Sequence, residues 1–318
     1  MMLSDSEAPI FGQSPIMQSL RLECEQYANS SYPILLLGES GTGKSWLARE
    51  IHRMSLVKSG PFIECAIPHL DSLARDQLLG HFKGAFTGAT ERYRGSIEQA
   101  MHGSLFLDEI GTAPPGIQAI LLTLIEAQTI RPLGSERDLP VHVRVVAATN
   151  EPLEERRSEG SFRDDLYHRI SALEMSLPPL RKRRSDIPML ARHLLAREAG
   201  SQRMPVPLLS PDAIEQLCKA KWPGNLRELR NVLVRAMLKT RGRPVIEFHD
   251  LDLPAVPGKT RKGRTKFAPE KIQLTLARSG HNKTRAAAEI GCSRKTVQRA
   301  FMKLRAPNAA PELDRDIS

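Results

Sequence analysis

The chain reads as an α/β protein: a mostly parallel sheet with helices on its faces, then an all-helical part, then a basic helical C-terminal end. Three observations predict this. From about residue 10 to 178, short apolar runs alternate with amphipathic stretches, the pattern of strands separated by crossover helices. Between Leu180 and about Thr240 the strand signal stops and helical spacing takes over, as in Ile187, Leu190, Ala191, Leu194 and Leu195. The charge is also unevenly placed. The net charge is +10, yet residues 257–306 hold fourteen Lys and Arg against two acids, while 32 basic residues face 34 acidic ones elsewhere. A field so concentrated steers a polyanion, nucleic acid first among them, with a solvated basic tail as the alternative.

Taken in order, residues 1–9 form a short tail, with Asp5 and Glu7 where a secretory signal would carry lysines. No apolar run approaches the roughly 20 residues of a membrane span, so a cytoplasmic protein is expected. Residues 10–178 are the α/β part, with buried strands at 34–37, 105–107 and 143–148. Residues 179–246 are the helical part. A linker at 247–268 follows, rich in Pro, Gly, Lys and Arg, and then a helical unit at 269–306 and a flexible tail at 307–318. Cys24, Cys65, Cys218 and Cys292 are far apart and lack metal-ligand spacing, which points to reduced packing residues rather than disulfides or zinc.

Gly38-Glu39-Ser40-Gly41-Thr42-Gly43-Lys44-Ser45 fits G-x4-G-K-[ST], directly after the apolar run 34–37 and before a helical run from Trp46 to His52. Glycines there let backbone N–H groups close around phosphate, and the helix N-terminus adds positive partial charge. Lys44 would reach the β- and γ-phosphates of ATP, and the Ser45 hydroxyl would ligate Mg²⁺. Ser104-Leu-Phe-Leu-Asp108-Glu109 supplies acids at a strand end. Asp108 suits the metal shell, and Glu109 suits polarisation of the attacking water. A third strand ends in Thr149-Asn150, where Asn150 can sense the γ-phosphate or serve as an ordinary turn residue.

Between these motifs stands Gly84-Ala85-Phe86-Thr87-Gly88-Ala89. Two glycines bracket an aromatic and a hydroxyl, which suits a mobile hairpin tip presenting Phe86. With the nucleotide motifs around it, this GAFTGA loop resembles that of the bacterial enhancer-binding activators of sigma-54 RNA polymerase, a branch of the AAA+ P-loop ATPases. The resemblance covers residues 10–246 for the ATPase with its lid and 272–304 for a Fis-like helix-turn-helix. It implies that residues 84–89, Phe86 and Thr87 above all, touch sigma-54. Phe162-Arg163-Asp-Asp-Leu-Tyr167-His-Arg169 resembles the family's arginine-finger segment, implying that Arg163 and Arg169 reach the nucleotide of a neighbouring subunit in a hexameric ring, homomeric or heteromeric. Trp222-Pro-Gly-Asn225-Leu-Arg227 resembles the lid's second sensor, with Arg227 aimed at the phosphates.

Two departures stand out. Where relatives carry an Asn thought to hold the catalytic glutamate until the nucleotide changes, an ungapped count places Ala66, which cannot hydrogen-bond. Either Glu109 is restrained differently or the coupling of hydrolysis to loop motion is altered. About ten residues precede Phe11-Gly-Gln-Ser-Pro, no room for the receiver or ligand-sensing domain of many relatives, so a separate regulatory protein is expected, as for the phage-shock and type III secretion activators.

In the basic end, residues 282–290, Gly291-Cys-Ser293 and 294–304 read as helix, tight turn, helix, with Asn282 and Ser293 as N-caps. Arg294, Lys295, Gln298 and Arg299 then lie near the start of the second helix, where such a motif presents side chains to major-groove base edges. The expectation is a DNA-tethered ATPase that acts on sigma-54 RNA polymerase at enhancer-like sites. The competing reading is a DNA-binding regulator whose ATPase fold mainly oligomerises it, which Ala66 favours.

Overall fold

The computed structural model describes residues 11–67, 71–240 and 242–253, within a compact unit that extends to Pro254. The elements run α1 (Pro15–Ala28), β1 (Ile34–Leu37), α2 (Lys44–Met54), β2 (Phe62–Ala66), α3 (Asp71–Leu79), β3 (Gly80–His81), β4 (Tyr93–Arg94), α4 (Ser96–Gln99) and β5 (Ser104–Asp108). Then come α5 (Pro115–Ala127), β6 (Thr129–Ile130), β7 (Leu139–Pro140), β8 (Arg144–Thr149), α6 (Leu153–Ser158), α7 (Asp164–Ile170) and β9 (Leu173–Ser176). The helical part comprises α8 (Ile187–Ser201), β10 (Leu208–Leu209), α9 (Pro211–Lys219), α10 (Asn225–Lys239) and β11 (Val245–Ile246).

Five strands form one parallel sheet in the order β2-β5-β8-β1-β9. Strand alternation decides which side chains face which layer. Leu35, Leu105, Leu107, Val145 and Ala147 enter one core with Ile117 and Leu121 of α5. Ile34, Leu36, Phe106, Val146 and Ala148 enter the other, with Met17 and Cys24 of α1 and Leu47 and Ile51 of α2. Both faces are thus covered, which is why these strands read as continuous apolar runs. Pro15, Pro115 and Pro211 each open a helix, where a missing N–H costs nothing. At the other end of α1, the buried Arg144 guanidinium donates to the Tyr27 carbonyl at 2.8 Å and to that of Ala28. It places a cation on the helix's negative end.

The helical part packs around Leu190, Leu194, Leu229, Leu233 and the fully buried Trp222. Residues 247–253, expected within the linker, fold onto it. The Glu247 and Asp250 side chains cap a short 3-10 turn reciprocally, and Leu251 packs into this core. Cys24 and Cys65 are buried free thiols, and Cys218 is half-buried.

This order places the carboxyl ends of β1, β8 and β5 side by side, the edge at which open α/β sheets bind ligands. Among the described residues no helix is long and apolar enough to cross a membrane.

Candidate functional site

The loop after β1 wraps ahead of α2. Gly41 has φ +77°, and a Cβ there would stand 2.6 Å from the Gly224 carbonyl oxygen, so both conformation and space demand glycine. Thr42 closes the turn by donating Oγ1 to the Glu39 carbonyl at 2.8 Å. Lys44 begins α2, is 6% exposed, and donates Nζ to the Gly38 carbonyl at 3.0 Å. Burial pushes its pKa down, against the pull of Glu109 and Asp108. One of its three N–H donors is used there, leaving a desolvated cation aimed into a cavity of about 340 Å³.

Ser45, Asp108 and Glu109 line the same cavity. A hydroxyl and a carboxylate are the donors a hard divalent cation takes, so Ser45 and Asp108 fit Mg²⁺. Glu109 has φ +58°, which turns its carboxylate out of the strand line. Asn150, at the end of β8, grips that carboxylate. Its backbone N–H donates to Oε2 at 3.3 Å, and its amide, oriented so that nitrogen rather than oxygen faces the acid, donates to Oε1 at 2.8 Å and also reaches Oε2. On the neighbouring strand Ala66 stands in register with Asp108 and offers only a methyl group. Glu109 is therefore restrained here by Asn150, not from position 66.

The helical part closes over the loop through contacts that sequence reasoning mostly missed. Arg227 does come to the cavity, donating to Ser40 Oγ at 2.7 Å. Arg181 forms a bidentate pair with Glu39 at 2.7 and 2.5 Å, which with the Asn225 amide holds the Glu39 carboxyl down at about pKa 2. Asn225, wholly buried, accepts from the Leu180 backbone at 2.8 Å and donates to Glu39 and to the Ser40 carbonyl at 3.2 and 3.0 Å. Arg183 is buried between Met17 and the Thr42 carbonyl, to which it donates at 2.6 Å, and burial lowers its pKa to about 10. One of these could have been found: Asn225 follows Pro-Gly where a left-handed residue is needed.

The 84–89 loop is the tip between β3 and β4. Gly84 and Gly88 are both left-handed with open space around them, and bonds from Gly84 N to Ala89 O and Ala89 N to Phe86 O tighten the turn. Phe86 is 47% exposed and Thr87 is exposed. The Phe86 ring meets His81 edge-on at 4.9 Å, and His81 Nδ1 bonds Asp76 at 2.6 Å. Arg163 and Arg169 do not line the cavity of their own chain. They lie on the surface, paired with Asp165 at 2.7 Å and Glu126 at 2.7 Å. Arg294, Lys295, Gln298 and Arg299 lie outside the described residues.

Comparison with known proteins gives three family matches in chain order. The Sigma-54 interaction domain matches residues 10–176, the AAA+ ATPase lid domain 181–266, and the Fis family of bacterial regulatory proteins 269–304. The chain is similar to the transcriptional regulatory protein ZraR of Salmonella typhimurium, with 39% identity covering 92% of this chain and 68% of that protein. It is also similar to the response regulator protein PilR of Pseudomonas aeruginosa, with 36% identity over 94% and 71%. Among solved structures, NtrX from Brucella abortus in complex with ATP superimposes with a TM-score of 0.70 at 31% identity, covering 94% of this chain and 70% of that one.

Proposed function

Because the chain belongs to the sigma-54 interaction family of AAA+ proteins, with an AAA+ lid and a Fis-type helix-turn-helix, we propose that it hydrolyses ATP to remodel sigma-54 RNA polymerase. The observation that carries this reading is the convergence of Lys44, Ser45, Asp108, Glu109 and Arg227 on one cavity, with the exposed Phe86 and Thr87 on a separate hairpin tip. The first set suits nucleotide chemistry; the second suits a protein partner.

In this reading ATP lies along the 38–45 loop, its phosphates met by backbone N–H groups, Lys44 and Arg227. Ser45 and Asp108 would hold Mg²⁺, whose charge would neutralise that of the phosphates. Glu109 accepts the proton of a water that attacks the γ-phosphate in line. Asn150 competes for the same oxygens, and turning its amide to the γ-phosphate loosens that hold. Arg163 and Arg169 act from a neighbouring subunit of a hexameric ring, exchanging Asp165 and Glu126 for phosphate oxygens. Phe86 then leaves His81 to press on sigma-54. Arg294, Lys295, Gln298 and Arg299 hold the ring at enhancer-like DNA, and a separate protein controls it. Ala66 favours the alternative, an oligomerising DNA-binding regulator with little turnover; the Asn150 grip on Glu109 supports the catalytic reading.

Phosphate release and sigma-54-dependent transcription, measured side by side, test the proposal. Lys44→Ala and Glu109→Ala should abolish both, whereas Thr87→Ala should keep hydrolysis and stop transcription. Loss of hydrolysis in Thr87→Ala equal to that in Glu109→Ala would refute the division of labour.

A further inference from the structure

The lid brings three arginines to the nucleotide cavity, Arg197, Arg227 and Arg230, and their charges are in different conditions. Arg230 is neutralised by a bidentate pair with Glu198 at 2.7 and 3.1 Å. Arg227 rests on the neutral Ser40 hydroxyl. Arg197, on α8, has no carboxylate partner among the described residues. Its guanidinium lies over the Trp46 ring, 5.7 Å from the centroid; burial, and secondarily the Arg197 charge, lowers the pKa of His193, whose ring meets Trp46 edge-on at 6.2 Å.

Trp46 is not an incidental resting place. It follows Lys44 and Ser45 in the first turn of α2, and it packs against both the sheet core and the lid core. A cation resting on its face thus sits where the phosphate-binding helix meets the lid. An exposed cation–π contact is weaker than a charge-assisted hydrogen bond to a phosphate oxygen, and an arginine fork suits two such oxygens. A polyphosphate in this cavity outcompetes the indole for Arg197.

We propose that Arg197 is a second phosphate ligand from the lid, held on Trp46 until a nucleoside triphosphate draws it off. This deepens the nucleotide-binding reading and rests on it. Drawing Arg197 inward pulls α8 towards α2, so that occupancy of the cavity is transmitted to lid position.

The test titrates the full-length protein and its Arg197→Ala, Arg197→Lys and Lys44→Ala variants with a non-hydrolysable ATP analogue and with AMP, both with Mg²⁺, by calorimetry and by tryptophan emission. Arg197 is exposed, so its removal leaves the cores untouched. Arg197→Ala should weaken the triphosphate about tenfold, or about 1.4 kcal/mol, and AMP by less than twofold. Arg197→Lys should recover part of the loss. Triphosphate should shift the emission of the parent protein but not of Arg197→Ala, and Trp46→Phe should abolish the shift, because Trp222 is sealed in the lid core, bonded to the Leu217 carbonyl. Triphosphate affinity in Arg197→Ala within twofold of the parent, with Lys44→Ala unable to bind, would overturn the role of Arg197 alone. Undiminished binding by Lys44→Ala would overturn the nucleotide site itself.

Discussion

Asn225→Ala removes one side chain that joins three segments. Asn225 accepts from the Leu180 N–H and donates to Glu39 and the Ser40 carbonyl, while holding φ +50° at the start of α10. Alanine leaves the Leu180 N–H, inside a fully buried residue, without its acceptor, at about 1–3 kcal/mol. Moving from Asn to Ala in the left-handed region costs roughly a further 1 kcal/mol, because the short amide tolerates that region better. The total is about 2–4 kcal/mol. At roughly 2–4 °C per kcal/mol for a unit of this size, the melting midpoint should fall by about 4–16 °C. Asn225→Asp is the sharper comparison. It keeps the acceptor for Leu180 but sets a carboxylate against Glu39, so Glu39→Gln should relieve part of its loss in a double-mutant cycle. Thermal melts of the parent, the three single variants and the Asn225→Asp/Glu39→Gln double variant measure this. A loss below about 1 kcal/mol in Asn225→Ala, or no relief by Glu39→Gln, would refute the assignment of Asn225 as the stitch between lid and loop.

Two further outcomes follow from the same seam. Glu39 is held at about pKa 2 by Arg181 and then Asn225, below its ordinary 4.5, so the unfolded chain takes up this proton first as pH falls. Its contribution is present above about pH 4.5 and lost on the way down to about pH 2, so the parent protein should lose more stability over that window than Glu39→Gln; parallel loss in melts across it would contradict this. Gly41→Ala places a methyl 2.6 Å from the Gly224 oxygen at φ +77°, so the lid must move off the loop. Nucleotide affinity by calorimetry should fall at least tenfold, and unchanged affinity would show that the contact is dispensable.

The sequence made the central strands visible where burial on both faces removes polar residues, as in β1, β5 and β8. It hid β2 and β9, because Glu64, Glu174 and Ser176 interrupt the apolar run on exposed positions at and near the sheet edges. Residues 247–253 looked like linker because their order comes from one cap and one buried leucine, not from periodicity. The 38–45 loop and the Asp108-Glu109 pair, which line one cavity, stood out because each is contiguous. The Arg181–Glu39 pair and the Arg183–Thr42 bond span more than 140 residues, and no local spacing reveals which arginine meets which partner. The partner of Glu109 was equally hidden. Ala66 offers Glu109 no donor, and the donor that meets it, Asn150, follows a strand two away in the sheet.

Transcription in vitro from one promoter set, with polymerase carrying sigma-54 or another sigma factor, and with ATP or its non-hydrolysable analogue, bears on the account most directly. Transcripts should rise only where sigma-54 and hydrolysable ATP are both present. Equal stimulation of the two polymerases, or full stimulation by the analogue, would contradict it.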